Sequence, residues 1–238
     1  MLDIEPLTGD ESITLGRHIP LSTIFDFWRW SYSDLNMPTV RGDFAEYLVF
    51  LALRKRGDTD VGVPVDHYQT RMGWDMVDLT YGHGIYEARG QEYFCPSTAH
   101  GWGVEVKSSS TQNISTPRFD VKMKKGYHVP SRREIPHLRN WSDIYVFALL
   151  ADEKHQLSIT DAFAWTFYLL PTYKLDILRR VTRKPVKSIS VARLLEIGAV
   201  QSSFWQLRTH MQFMVDSHYP KLARWKFAHN ELKMRYGG

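Results

Sequence analysis

Apolar residues recur at helical spacing in RGDFAEYLVFLALRKRG, residues 41–57, where Phe44, Tyr47, Leu48 and Leu51 line one side. This pattern predicts a helix, with Gly57 placed to close it at a C-terminal cap. Val49, Phe50 and Leu53 make the other side apolar too, so the helix is expected to be largely buried. The following segments read as strands. VGVPV (61–65) alternates but carries Pro64, which suits a sheet edge or a strand end. WDMVDLTY (74–81) and GWGVEVKS (101–108) come next, and RFDVKM (118–123) alternates again. DIYVFALLA (143–151) is a continuous apolar run, as expected of a central strand covered on both faces. FAWTFYLLP (163–171) closes the series. SVARLLEIG then has Ser190 as an N-cap, helical apolar spacing and a terminal Gly198. The tail from FWQLRTHMQFMV onwards reads as helical and ends basic.

A buried helix, a run of strands and then helices predicts an α/β (α+β) domain with a mixed central sheet flanked by helices. Residues 1–40 are expected to be an irregular or helical segment. Its aromatic cluster (Phe25, Phe27, Trp28, Trp30, Tyr32) would pack onto the core. Residues 41–200 would form that core, and 201–238 a helical, basic C-terminal extension. With 238 residues, 43% of them hydrophobic, one sizeable core is expected. Cys95 is the only cysteine, which excludes an internal disulfide and a four-cysteine zinc site. The start, MLDIEPLTGDESITL, lacks the basic and apolar regions of a signal peptide. No stretch approaches the ~18 consecutive apolar residues of a membrane span, so the expectation is a cytoplasmic protein without a membrane partner. A formal net charge of +4 is compatible with a polyanionic partner.

The chemistry concentrates in two of the strands. Side chains alternate along a strand, so Glu105 and Lys107 of GVEVK point to one face while Val104 and Val106 point to the other. A carboxylate and an ammonium on one strand face are costly to bury without a purpose. In WDMVDL, Asp75 shares a face with Val77 and Leu79, and Asp78 points the opposite way. Consecutive strands usually pair, which would bring Asp75 close to Glu105. Two carboxylates at that range repel unless a cation lies between them. Hard oxygen donors suit Mg²⁺, with Mn²⁺ as a substitute, because such ions keep several waters and complete their shell with phosphate oxygens. Lys107 could then orient or deprotonate a water, or stabilise an oxyanion. This is chemistry for phosphodiester hydrolysis.

The elements GWDMVD and GVEVKSSS, behind the RGDFAEYLVFLAL helix, resemble the active-site pattern of the PD-(D/E)XK nuclease superfamily. The resemblance covers roughly residues 41–125 by motif and implies a restriction-endonuclease-like fold and Mg²⁺-dependent cleavage, with DNA as the expected partner. It implies that Asp75 and Glu105 are the acidic metal ligands and Lys107 the lysine. Glu46 matches the acidic residue many members carry on the preceding helix, and Gln112 an additional polar residue found in some. No proline precedes Asp75, and the linker from Asp75 to Glu105 is long, so Asp78 stands as the alternative first acid.

Each residue also has a structural explanation. Glu105 and Lys107 could be an ordinary ion pair on a half-exposed strand, worth ~0–1 kcal/mol. Asp43 followed three residues later by Glu46 is a capping-box pattern, so Glu46 could simply cap its own helix. His83, Cys95 and His100 lie in one segment but lack the tight spacing of a zinc site. The stretch 118–139 carries Arg118, Lys122, Lys124, Lys125, Arg132 and Arg133, and is either a solvated basic loop or a patch that tracks phosphates. A restriction or defence nuclease is the leading expectation. A nucleic-acid-binding module that kept the fold and lost activity is the alternative. One site cuts one strand per engagement, so double-strand cleavage would call for a homodimer or sequential nicking.

Overall fold

The structure, a computed structural model, describes residues 8–15, 19–53, 67–68, 76–78, 86–88, 91–93, 102–111, 116–128, 133–150, 158–183 and 185–237. The chain divides into two compact units, Met1–Phe44 and Ala45–Gly238.

The first unit is more regular than its sequence suggests. Strands β1 (Ser12–Leu15) and β2 (Ile19–Thr23) pair antiparallel and lead into helix α1 (Ile24–Tyr32). A reciprocal capping box sets the start of α1: Thr23 accepts from the Asp26 N–H, and Asp26 accepts from the Thr23 N–H. No residue of α1 is buried, and Phe25, Phe27, Trp30 and Tyr32 are exposed.

Helix α2 runs Pro38–Leu53, starting earlier than the expected Arg41. Proline suits a first helical turn, where its missing N–H would have had no partner. Asp43 and Glu46 therefore both lie inside the helix, which removes the capping-box explanation of Glu46. Leu48, Val49 and Leu53 are buried together with Ala45 and Ala52, whereas Phe44, Phe50 and Leu51 are half-buried and Tyr47 is exposed, so the apolar pattern is buried only in part. Gly57, the segment 61–65 and the residues His83, Cys95 and His100 lie outside the described residues.

The second unit is built on a six-stranded mixed sheet flanked by helices. Its strands are β3 (His67–Tyr68), β4 (Met76–Asp78), β7 (Trp102–Ser110), β11 (Ile144–Leu150), β12 (Trp165–Pro171) and β14 (Val200–Ser202). Their order is β14-β12-β11-β7-β4-β3, and among the described residues β7–β11 is the one parallel pair. Buried Asp143 fixes that register: its carboxylate accepts from the Gly103 N–H at 2.8 Å, and its own N–H donates to the Gly103 carbonyl at 2.8 Å. Every residue of β11 is buried, as its unbroken apolar sequence predicts for a central strand.

Among the described residues, six further strands of this unit pair outside the central sheet. Strands β5 (Tyr86–Ala88) and β6 (Gln91–Tyr93) form a short hairpin. Strand β8 (Arg118–Asp120) pairs with β13 (Ser188–Ser190). Strands β9 (Lys124–His128) and β10 (Arg133–Arg139) form an antiparallel pair, where the sequence suggested a basic loop. Their register slips between Ile135 and Arg139, the stretch that holds Pro136, which cannot donate to a ladder.

Helix α3 (Thr172–Thr182) follows β12 directly, and α4 (Val191–Glu196) starts at Ser190, whose hydroxyl accepts from the Arg193 N–H. Gly198 closes α4 at φ +82°, a conformation that favours glycine. Phe147, Tyr168, Leu170, Leu175, Ile189 and Leu194 meet in one core cluster on the α3–α4 side of the sheet. The long helix α5 (Leu207–Gly237) buries Leu207, Met211, Met214, Val215 and Leu222.

Candidate functional site

Strand β7 supplies the centre of the site. Val104 and Val106 are buried on one face, and alternation sends Glu105 and Lys107 to the other. The parallel register sets Glu105 beside Tyr145 and Lys107 beside Phe147. Those two rings stack 5.4 Å apart and belong to the core cluster, so the polar pair borders an aromatic wall.

The Glu105 side chain is 2% exposed. A bare carboxylate in such a place would cost several kcal/mol, roughly, in lost hydration. Two ammonium groups offset that cost, and both meet the same oxygen, Oε1. Lys107 reaches it along its own strand and also donates to the Val106 carbonyl at 3.2 Å. Lys124 reaches it from β9 at 3.0 Å. The two lysines differ in freedom: the Lys107 side chain is 21% exposed and that of Lys124 57%.

Lys124 was expected to be a phosphate contact, and sequence reasoning missed its place beside Glu105. Its backbone is fixed where β9 begins: the indole N–H of buried Trp141 donates to the Lys124 carbonyl at 2.9 Å. The only sequence hint was its place in a basic run just after the GVEVK strand.

The other expected site residues are distributed as follows. Asp75 and Gln112 lie outside the described residues, as does Arg132. Strand β4 begins at the next residue after Asp75: Met76 pairs with Val104, Val77 with Gly103 and Asp78 with Trp102. Glu46 is half-buried on the α2 side that carries Val49 and Leu53, and its Oε2 is shielded from solvent. Arg118 is tied down, donating to the Ser188 hydroxyl at 2.9 Å and the Ser188 carbonyl at 3.2 Å. Lys122 pairs with Asp120 at 3.5 Å, both exposed. Lys125 is exposed on β9, and Arg133 opens β10.

Among the described residues, no group of three or more His, Cys, Asp or Glu is placed to hold a metal. Glu105 is the carboxylate of the Lys107–Lys124 cluster, a single hard oxygen donor group. Among them, too, no helix is long and apolar enough to cross a membrane. Comparisons of the chain with protein-family models, curated proteins and solved structures find no match.

Proposed function

We propose that this chain is a Mg²⁺-dependent nuclease, acting on DNA in the first instance, with a restriction-endonuclease-like core. The observation that carries this reading is the Glu105 carboxylate, buried on a central strand with the Lys107 ammonium on the same face. The order of the elements agrees with it: helix α2, then the strand that follows Asp75, then β7, with β4 and β7 paired.

Mg²⁺ needs only one or two carboxylates, with waters and phosphate oxygens completing its shell. Glu105 and Asp75 together would meet that need, so the small donor set fits the ion. Register favours Asp75 over Asp78. Asp75 is bonded to Met76, whose partner Val104 adjoins Glu105. Asp78 lies opposite Trp102, about 10 Å along the strand from Glu105. Once bound, the ion would acidify a water and neutralise charge growing on the phosphorus oxygens. Lys107 holds its ammonium against Glu105 and the Val106 carbonyl, where it can orient that water or stabilise the departing oxyanion. The buried aromatic wall of Tyr145 and Phe147 limits bulk water on one side.

The test is cleavage of supercoiled and linear DNA with Mg²⁺, comparing the native chain with Lys107→Ala and Glu105→Gln. Loss of ~10²–10⁴-fold in rate is expected for each, with no cleavage in EDTA. Variants that cut as well as the native chain would remove the site assignment. A native chain that leaves DNA and RNA intact would favour the binding module without activity.

A further inference from the structure

We propose that Lys124 is a substrate-contacting residue of this site that exchanges partners, pairing with Glu105 in the free protein and with a nucleic-acid phosphate in the complex. The inference rests on the nuclease reading and adds a residue from a separate element, the β9–β10 hairpin.

Two ammonium groups on one carboxylate oxygen repel each other, and the arrangement lasts only while nothing better neutralises either of them. Lys107 is the less exposed and is held a second time by the Val106 carbonyl. Lys124 is the more exposed, and its anchoring is at the backbone. Trp141 holds its carbonyl, and Arg139 lies opposite it across the hairpin. A fixed base with a solvent-exposed tip is the geometry of a side chain that can change partners without moving its strand. The irregular stretch around Pro136 separates the Lys124–Arg139 pair from the regular part of the ladder, and bulges of this kind re-aim side chains.

A divalent cation and Lys124 therefore compete for Glu105. Once the cation has taken the carboxylate, a phosphodiester arriving at the same place offers the released ammonium a new anion. Lys125, the next residue, is also exposed. Removal of Lys124 then has effects of opposite sign: tighter divalent binding in the free protein, and weaker nucleic-acid binding. A lysine with only a structural role would not produce both.

The experiment titrates Mn²⁺ into the native 238-residue chain, Lys124→Ala and Lys124→Gln by calorimetry, without nucleic acid. In parallel, binding of a labelled DNA duplex is followed by anisotropy across a salt series, with Ca²⁺ held constant to occupy the carboxylate. Both variants should bind Mn²⁺ several-fold more tightly. They should bind duplex more weakly, with a salt slope shallower by about 0.9, one phosphate contact. Lys124→Gln keeps most of the side-chain bulk and serves if the alanine variant folds poorly. Unchanged or weaker Mn²⁺ binding, or an unchanged salt slope, in variants of a native chain that cleaves would overturn the exchange and leave the nuclease reading intact. A native chain that binds no Mn²⁺ and cleaves nothing would overturn both.

Discussion

Glu105 meets Lys107 and Lys124 in a setting where a hydrophobic side chain would pack at less cost in lost hydration. Replacing a buried ion pair by apolar groups of similar volume is often neutral or stabilising, whereas removing one partner alone is not. Two outcomes follow for urea unfolding of the native chain and its variants. Glu105→Ala should lose about 2–4 kcal/mol, because it leaves a cavity and takes the carboxylate from the largely buried Lys107. Glu105→Leu combined with Lys107→Met should lie within about 1 kcal/mol of the native chain and be inactive. A double variant that is far less stable would identify the pair as a structural bridge. The half of this site on β7 was legible in the sequence, because strand alternation alone puts positions 105 and 107 on one face. Lys124 was not, because it arrives from 19 residues further along through a pairing that no local pattern encodes.

Elements with a strong internal period were the ones the sequence announced. Strand β11 is a run of apolar residues, and α4 carries its own cap at Ser190 and its own stop at Gly198. The β9–β10 pair was hidden because Lys124, Lys125, Arg133 and Glu134 mask any alternation and Pro136 argues against a strand. Helix α3 was hidden by continuity, since β12 passes into it at Pro171 without a loop. What α3 contributes is tested at its contact with α5, where the Tyr173 hydroxyl and His218 Nδ1 lie 2.9 Å apart. Burial, with Lys174 and Lys221 nearby, holds the His218 pKa below its ordinary 6.5. As pH falls through 6.5 the unfolded chain takes up this proton before the folded one. The contribution of neutral His218 is therefore fully present above 6.5 and lost as pH falls through the lower folded value. Urea midpoints measured from about pH 8 to about pH 5 should fall less steeply for His218→Gln than for the native chain. Equal slopes would mean that other groups carry the acid sensitivity. Trp141→Phe, which deletes the indole donor to Lys124, should cost about 1 kcal/mol.

At the scale of the molecule, all six strands of the central sheet, the core cluster and the Glu105 site come from the unit Ala45–Gly238. The unit Met1–Phe44 has its own antiparallel strand pair and its own capped helix, and among the described residues it gives no strand to that sheet. Helix α2 crosses the boundary between the units, so a division that respects secondary structure falls before Pro38 and not at residue 44. A chain beginning at Pro38 keeps the whole of α2, including Glu46, and every strand that positions Glu105. It should unfold in one cooperative urea transition, within about 1–2 kcal/mol of the full chain, because α1 buries no residue. It should also keep the Mg²⁺-dependent cleavage proposed for the full chain. Loss of cooperativity would mean that the central sheet needs residues before Pro38 to hold together. Intact folding with activity lost would instead show that cleavage requires residues before Pro38.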